Sequence, residues 1–255
     1  MEISFIGSGN VATHLAKACV AKGIAIKDIY SKSIENAKVL ADLCNAKPID
    51  NLDDLSSDVA LIIISVSDNA LPDIISKIEN VKASVVHTSG STSIDILKSK
   101  NHDYGVFYPL QTFSKNKNVN IEEVPFFIEA SSGDLKLALK LFCEILGAEA
   151  NEADSVQRLN LHIAAVFACN FSNHMYAIAE ELMLKNNLNF DLLKPLITET
   201  AQKIQLLSPK LAQTGPAVRK DSLTIDKHLQ ALQSEKHLFE LYKAISEDIA
   251  KNQNS

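Results

Sequence analysis

Short apolar runs alternate with amphipathic segments through the first half of this 255-residue chain. Residues 3–6, 26–30, 59–64, 84–87, 105–108 and 126–128 have the length and β-branched content of strands. The run Ala60-Leu61-Ile62-Ile63-Ile64 is apolar at every position, as a strand covered on both faces must be. Between the runs, residues 11–22, 34–43, 71–78 and 134–146 carry apolar positions at helical spacing. This punctuation predicts βαβ units and a doubly wound parallel sheet.

The pattern then changes. From Ala148 to Lys194 there is no glycine or proline, and Leu159, Ile163, Val166, Phe167, Phe171 and Ile178 recur at helical spacing. A long helix is expected from a cap at Asp154 or Ser155. A second, capped by Asp191, carries Leu193, Leu196, Ile197, Ile204 and Leu207, and a last one aligns Leu238, Leu241, Tyr242, Ile245 and Ile249. The expectation is an α/β protein with two domains, a Rossmann-like domain over 1–151 and an all-helical domain over 152–255.

Gly7-Ser8-Gly9-Asn10-Val11-Ala12 lies between the first strand and the first helix, the context that a G-x-G-x-x-A dinucleotide fingerprint requires. Gly7 serves the tight turn, Gly9 lets backbone approach a pyrophosphate, Ala12 lets helix pack on strand, and the anion sits on the helix N-terminus. Gly7, Ser8, Gly9, Asn10 and Val11 are therefore cofactor candidates. At the end of the second strand, where NAD sites carry a carboxylate, stand Ser31, Lys32 and Ser33, a cation between hydroxyls that suits the 2′-phosphate of NADP. Ser65, Val66 and Ser67 follow the third long strand at the ligand-binding edge of the sheet, with Asp68 read as a helix cap.

Composition narrows the classes. A 46% hydrophobic, 22% charged chain builds a real core, and a net charge of -6 without a basic run argues against nucleic acid. Four separated cysteines without a C-x-x-C pair suit buried thiols, and no structural metal is expected. There is no basic leader and no bilayer-spanning apolar stretch, so no membrane partner and a cytoplasmic location are expected. Of 25 basic residues only Arg158 and Arg219 are arginines, which points to two places where a forked donor is required.

Further segments stand out: His87-Thr88-Ser89-Gly90-Ser91, Tyr108-Pro109-Leu110-Gln111-Thr112-Phe113-Ser114, Arg158-Leu159-Asn160-Leu161-His162, Cys169-Asn170-Phe171-Ser172-Asn173-His174, and Thr214-Gly215-Pro216-Ala217-Val218-Arg219-Lys220-Asp221. With the fingerprint they resemble, over nearly the whole chain, a bacterial family of Rossmann-like NADP oxidoreductases with a C-terminal helical domain of unassigned function. That family is similar to the 6-phosphogluconate dehydrogenase-like superfamily. The resemblance implies NADP, a small-molecule substrate and pairing through the helical domain as a homodimer.

Ser89 and Ser91 offer hydroxyls at the rim of the sheet, either to substrate or as turn and helix caps; a similar segment holds substrate in β-hydroxyacid dehydrogenases. His87 is either a proton donor or a buried structural histidine. Gln111 follows a Pro turn that resembles a His-Pro segment of prephenate dehydrogenases, with Tyr108 where histidine would stand. A 100° step aligns Arg158, His162, Cys169, Asn173 and Tyr176, flanked by Asn170 and His174, and the superfamily's use of this helix makes Asn170, Asn173 and His174 site candidates. Arg219 either clamps a substrate anion or pairs with Asp221. No lysine precedes Lys185 on this helix, so the lysine acid of β-hydroxyacid dehydrogenases has no counterpart. Two functions fit: hydride transfer between NADPH and a small carbonyl or imine that carries a carboxylate in one version, or NADP binding without turnover as a sensor or scaffold.

Overall fold

The computed structural model describes residues 2–99, 101–115 and 117–252. The chain divides into two compact units, Met1–Met175 and Tyr176–Ser255.

The first unit is built on an eight-stranded sheet of order β3-β2-β1-β4-β5-β6-β7-β8. Its first half runs β1 (Glu2–Ile6), α1 (Asn10–Ala21), β2 (Ala25–Tyr30), α2 (Ile34–Cys44), β3 (Lys47–Ile49) and β4 (Leu61–Ile64). Its second half runs α3 (Leu71–Lys77), β5 (Ser84–His87), β6 (Tyr104–Pro109), β7 (Phe126–Ala130), α4 (Gly133–Leu146) and β8 (Ala150–Glu152). All six strand runs expected from the pattern are present within a residue or two. The order 3-2-1-4-5-6 is that of the Rossmann fold. Ile62, Ile63 and Ile64 are buried on both sides of the central strand, as the uninterrupted run requires.

Three features differ from the pattern reading. β3 and β8 are three-residue edge strands, too short and too polar to show alternation, and Pro48 is tolerated in β3 because an edge needs no donor on its open side. β7 runs antiparallel to β6, since the described residues of the segment joining them form a short 3-10 turn at Ile121–Glu123 and no crossover helix. Asn151, the last residue expected in the Rossmann-like domain, is paired with Phe127 inside the sheet, and the division between compact units falls after Met175.

Asp154 caps α5 (Ser155–Ala165) in a capping box with Gln157. The chain continues without a break through a π turn at Val166–Phe171 into α6 (Ser172–Lys185). A π turn closes i→i+5 bonds and rotates the helix beyond it, so the single polar stripe drawn at 100° per residue does not persist along this helix.

The second unit continues with α7 (Lys194–Leu206), α8 (Pro209–Ala212), α9 (Ser222–Ala231) and α10 (Lys236–Asn252), confirming an all-helical second half. The helical turn before α7 is capped by Asn189, whose side chain accepts from the Asp191 amide; Asp191, the expected cap, instead pairs with Lys194 at 2.5 Å. Asp221 caps α9 through Thr224.

Candidate functional site

The strand order reverses between β1 and β4, the switch point where open α/β sheets bind ligands. Gly7 lies there with φ +121°, its amide donating to the Tyr30 carbonyl at 2.8 Å. A Cβ on Gly7 would fall 2.3 Å from the Ser65 carbonyl oxygen, so only glycine lets the two loops touch. Gly9 caps α1 without a side-chain bond, and a Cβ there would meet nothing within 4 Å. The first turn of α1 has no acidic residue. This leaves an open cradle of helix N-terminal amides, the arrangement that a pyrophosphate fits. Ser8 and Val11 border it, both partly accessible. The Asn10 side chain is spent elsewhere, donating to the Phe113 carbonyl at 2.8 Å, which leaves its backbone for the anion.

At the end of β2, Lys32 is exposed and has no ion-pair partner among the described residues. Ser31 is held by its amide to the Ile49 carbonyl. Ser33 differs from the expectation of a free hydroxyl. Its Oγ caps α2 by accepting from the Asn36 amide and donates to Glu35 at 2.7 Å, which holds the Glu35 carboxyl below its ordinary range.

The loops after β4 and β5 form the adjoining rim. Ser65 is buried and accepts from Thr88 Oγ1 at 3.3 Å, Val66 borders Gly7, and Ser67 is exposed before a short 3-10 turn. Asp68 was expected to cap a helix; its carboxylate receives the Ser91 hydroxyl instead, tying the two loops together. Ser89 Oγ accepts from the amides of Ser91 and Thr92 at 3.2 and 3.0 Å, and Ser93 caps the next turn. Both serines proposed as substrate groups thus also hold the loop's shape.

His87 is wholly buried. The Ser89 amide donates to its Nδ1 at 3.2 Å, so its Nε2 carries the hydrogen and faces the Ser93 carbonyl at 3.4 Å. Burial first, and Arg158 second, push its pKa down to about 4. With both nitrogens engaged and the ring neutral, the geometry makes His87 a support for the loop rather than the proton donor considered from sequence.

Arg158 explains one of the two arginines. Fully buried, its guanidinium donates to Glu129, to the Thr92 carbonyl and to Ser155 Oγ, so the fork joins β7, the β5 loop and α5.

Beside this network lies a cavity of about 460 Å³ lined by Leu110, Gln111, Thr112, Cys169, Asn170 and the pair Tyr108 and His162, among others. Tyr108 Oη and His162 Nδ1 are 3.1 Å apart. A Cβ on Gly90 would fall 2.7 Å from His162 Nδ1 and 2.8 Å from Tyr108 Cζ, so the Ser-Gly-Ser turn packs directly on the pair. Burial raises the Tyr108 pKa against the opposing pull of Arg158. The π turn carries Cys169 and Asn170 into the cavity wall with His162. Asn173 and His174 are exposed and are not among its lining residues. Arg219 is exposed in the second unit, before the α9 cap.

Sequence reading missed the roles of Tyr108, His162 and His14. His14 Nε2 bonds the Ser114 carbonyl at 3.0 Å and its ring lies against Phe113. The loop after β6 therefore begins in the cavity wall at Gln111 and Thr112 and ends anchored to α1. The signal for the first pair was a tyrosine at a histidine position; nothing local marked His14.

A dinucleotide cradle at a Rossmann switch point, flanked by a largely apolar cavity that carries a few convergent polar groups, defines a nucleotide-dependent redox enzyme. Residues 2–90 match the family described as NADP oxidoreductase, coenzyme F420-dependent, and residues 124–249 match a domain of unknown function, DUF2520. The chain is 44% identical to the putative NADP oxidoreductase BF3122 from Bacteroides fragilis, covering 98% of each chain with a TM-score of 0.93. It therefore belongs to the family of NADP oxidoreductases that join a Rossmann domain to a DUF2520 helical domain. It is similar in fold to protein TM1727 from Thermotoga maritima, at 20% identity, TM-score 0.73 and coverage of 99% and 100% of the two chains. It is also similar to an imine reductase from Myxococcus stipitatus in complex with NADP+, at 14% identity, TM-score 0.68 and coverage of 98% and 93%. No curated protein matches the chain.

Proposed function

We propose that this protein is an NADPH-dependent reductase of a small imine or carbonyl compound. One observation carries the reading: the segment after β6 is shared, lining the cavity with Gln111 and Thr112 and bonding the phosphate cradle at Asn10 and His14. Bound along the switch-point crevice, NADPH supplies hydride. The α1 amides hold the pyrophosphate, Ser65 to Ser67 border the ribose, and Lys32 with Ser31 takes the 2′-phosphate. Ser89, Ser91, Gln111 and Asn170 orient the substrate. Among the described residues neither lysine nor arginine lines the cavity, so its amides and hydroxyls suit a neutral imine or carbonyl. The NADP complex of the structurally similar imine reductase agrees with this reading.

We also propose that two copies pair through the second unit. In it only Ala217 and Leu238 are buried apolar residues among those described, while Leu192, Leu196, Leu206, Leu211 and Leu223 are exposed.

The test is calorimetric binding of NADPH and NADH, followed by NADPH oxidation against cyclic imines, aldehydes and keto acids. NADPH is expected to bind at least about tenfold more tightly, as one charge-assisted bond implies, and Lys32→Asp to abolish the preference. Binding without oxidation of NADPH by any compound would favour a sensor or scaffold. Equal affinities would show that Lys32 does not read the 2′ position.

A further inference from the structure

We propose that Tyr108 donates the proton of this reduction from Oη, with His162 as the relay that positions and recharges it. The inference rests on the reductase reading and adds what that reading lacks, a proton source.

The titratable groups of the neighbouring loop and of the core do not meet the requirement. His87 is sealed in its loop with both nitrogens engaged. Asp68 is held by Ser91, and the thiols of Cys19, Cys44 and Cys143 are buried in the core. Among the described residues of the cavity wall, only Tyr108, His162 and Cys169 carry an exchangeable proton on a titratable group. Tyr108 and His162 are in mutual hydrogen-bond reach, which gives a donor and its orienting base in one contact.

When His162 is an imidazolium, Nδ1–H donates to Tyr108 Oη, and the phenolic hydrogen is free to point into the cavity. As hydride reaches the substrate carbon, the electron pair of the C=N or C=O bond moves onto nitrogen or oxygen. That atom takes the Tyr108 proton, the phenolate takes the Nδ1 proton of His162, and the neutral imidazole regains one from water. Substrate gains two electrons and two hydrogens, and NADPH becomes NADP+.

The fold holds the pair in register. His162 stands one helical turn after Arg158, which is fixed to Glu129 and Thr92, and Gly90 leaves the rings no room to part on that side. Burial keeps the Tyr108 phenol protonated at neutral pH, as a donor needs. The charged and titratable groups facing the pair are Arg158, neutralised by Glu129, and the Cys169 thiol.

The test compares wild type with Tyr108→Phe, which keeps the ring, and His162→Gln. In Tyr108→Phe, kcat should fall about 100-fold or more while the NADPH dissociation constant stays within about threefold. In His162→Gln, kcat should fall at least about tenfold while the NADPH dissociation constant again stays within about threefold of wild type. Independently of turnover, the imidazole nitrogen NMR signals of His162 should move in Tyr108→Phe, and unchanged signals would overturn the pair. Turnover in Tyr108→Phe within about threefold of wild type would overturn the donor assignment. If wild-type protein binds but never oxidises NADPH, the reductase reading fails, a result separate from either of these.

Discussion

Gly90 and His87 sit three residues apart, and their neighbours give them opposite tasks. Gly90 is needed for what it lacks, since any side chain would strike the rings of Tyr108 and His162. His87 is needed for a neutral ring that accepts from one amide and donates to one carbonyl. This makes the protein sensitive to acid. Well above pH 6.5 the ring is neutral folded or unfolded, and its contribution to stability is complete. Its folded pKa is lowered from 6.5 to about 4. As pH falls from 6.5 to 4, the unfolded chain takes the proton first, and stability drops by up to about 3 kcal/mol. Urea unfolding at about pH 7 and about pH 4.5 should show this drop in wild type and a smaller one in His87→Gln. An identical drop in both would show that His87 does not carry it. Ser89, Ser91 and Gln111 could be marked as candidates from sequence because each follows the end of a strand, at the edge where open α/β sheets bind ligands. Tyr108 and His162 could not, because their contact spans 54 positions and no local spacing encodes it.

At the scale of elements, α5 is the part that joins loop, sheet and cavity. Its capping box fixes where it starts, Arg158 fixes how its first turns lie on β7 and the β5 loop, and the π turn brings Asn170 into the cavity wall. Truncating Arg158 would leave Glu129 without its ion-pair partner and free the Thr92 carbonyl. Arg158→Leu should cost roughly 3–5 kcal/mol, and Arg158→Lys should restore only part of it, because an ammonium cannot form the same fork. Denaturant midpoints for the two variants check this, and a Lys variant equal to wild type would show that charge alone suffices. The start of α5 could be read from Asp154 because a cap is a local bond. The π turn could not, since five-residue bonding leaves no distinct apolar period.

Across the whole molecule, the two units differ in how completely they bury their apolar residues. The sheet unit has a dense core from Phe5 and Ile63 to Phe107 and Phe142. The helical unit leaves long leucines in water, Leu206 at 86% and Leu211 at 75% exposure. At about 25 cal/mol per Å2 such surface favours association. Light scattering at micromolar concentration should give twice the chain mass, and Leu196→Glu with Leu211→Glu should give monomers that retain their helical circular dichroism. A wild-type monomer would overturn the pairing.

What the sequence determined by itself was everything written in short-range pattern. Runs of isoleucine dictated buried strands, G-x-G-x-x-A dictated the turn and cradle, and Asp154 dictated a helix start, because period, φ and capping are properties of a few neighbouring residues. The tertiary structure alone decided the rest: the antiparallel β7, the edge strands, the neutral state of His87, the use of Ser33 as a cap and the meeting of Tyr108 with His162. Each of these depends on which distant segment packs alongside, and burial and hydrogen-bond partners supplied from across the fold set the chemistry of a side chain more than its own identity does.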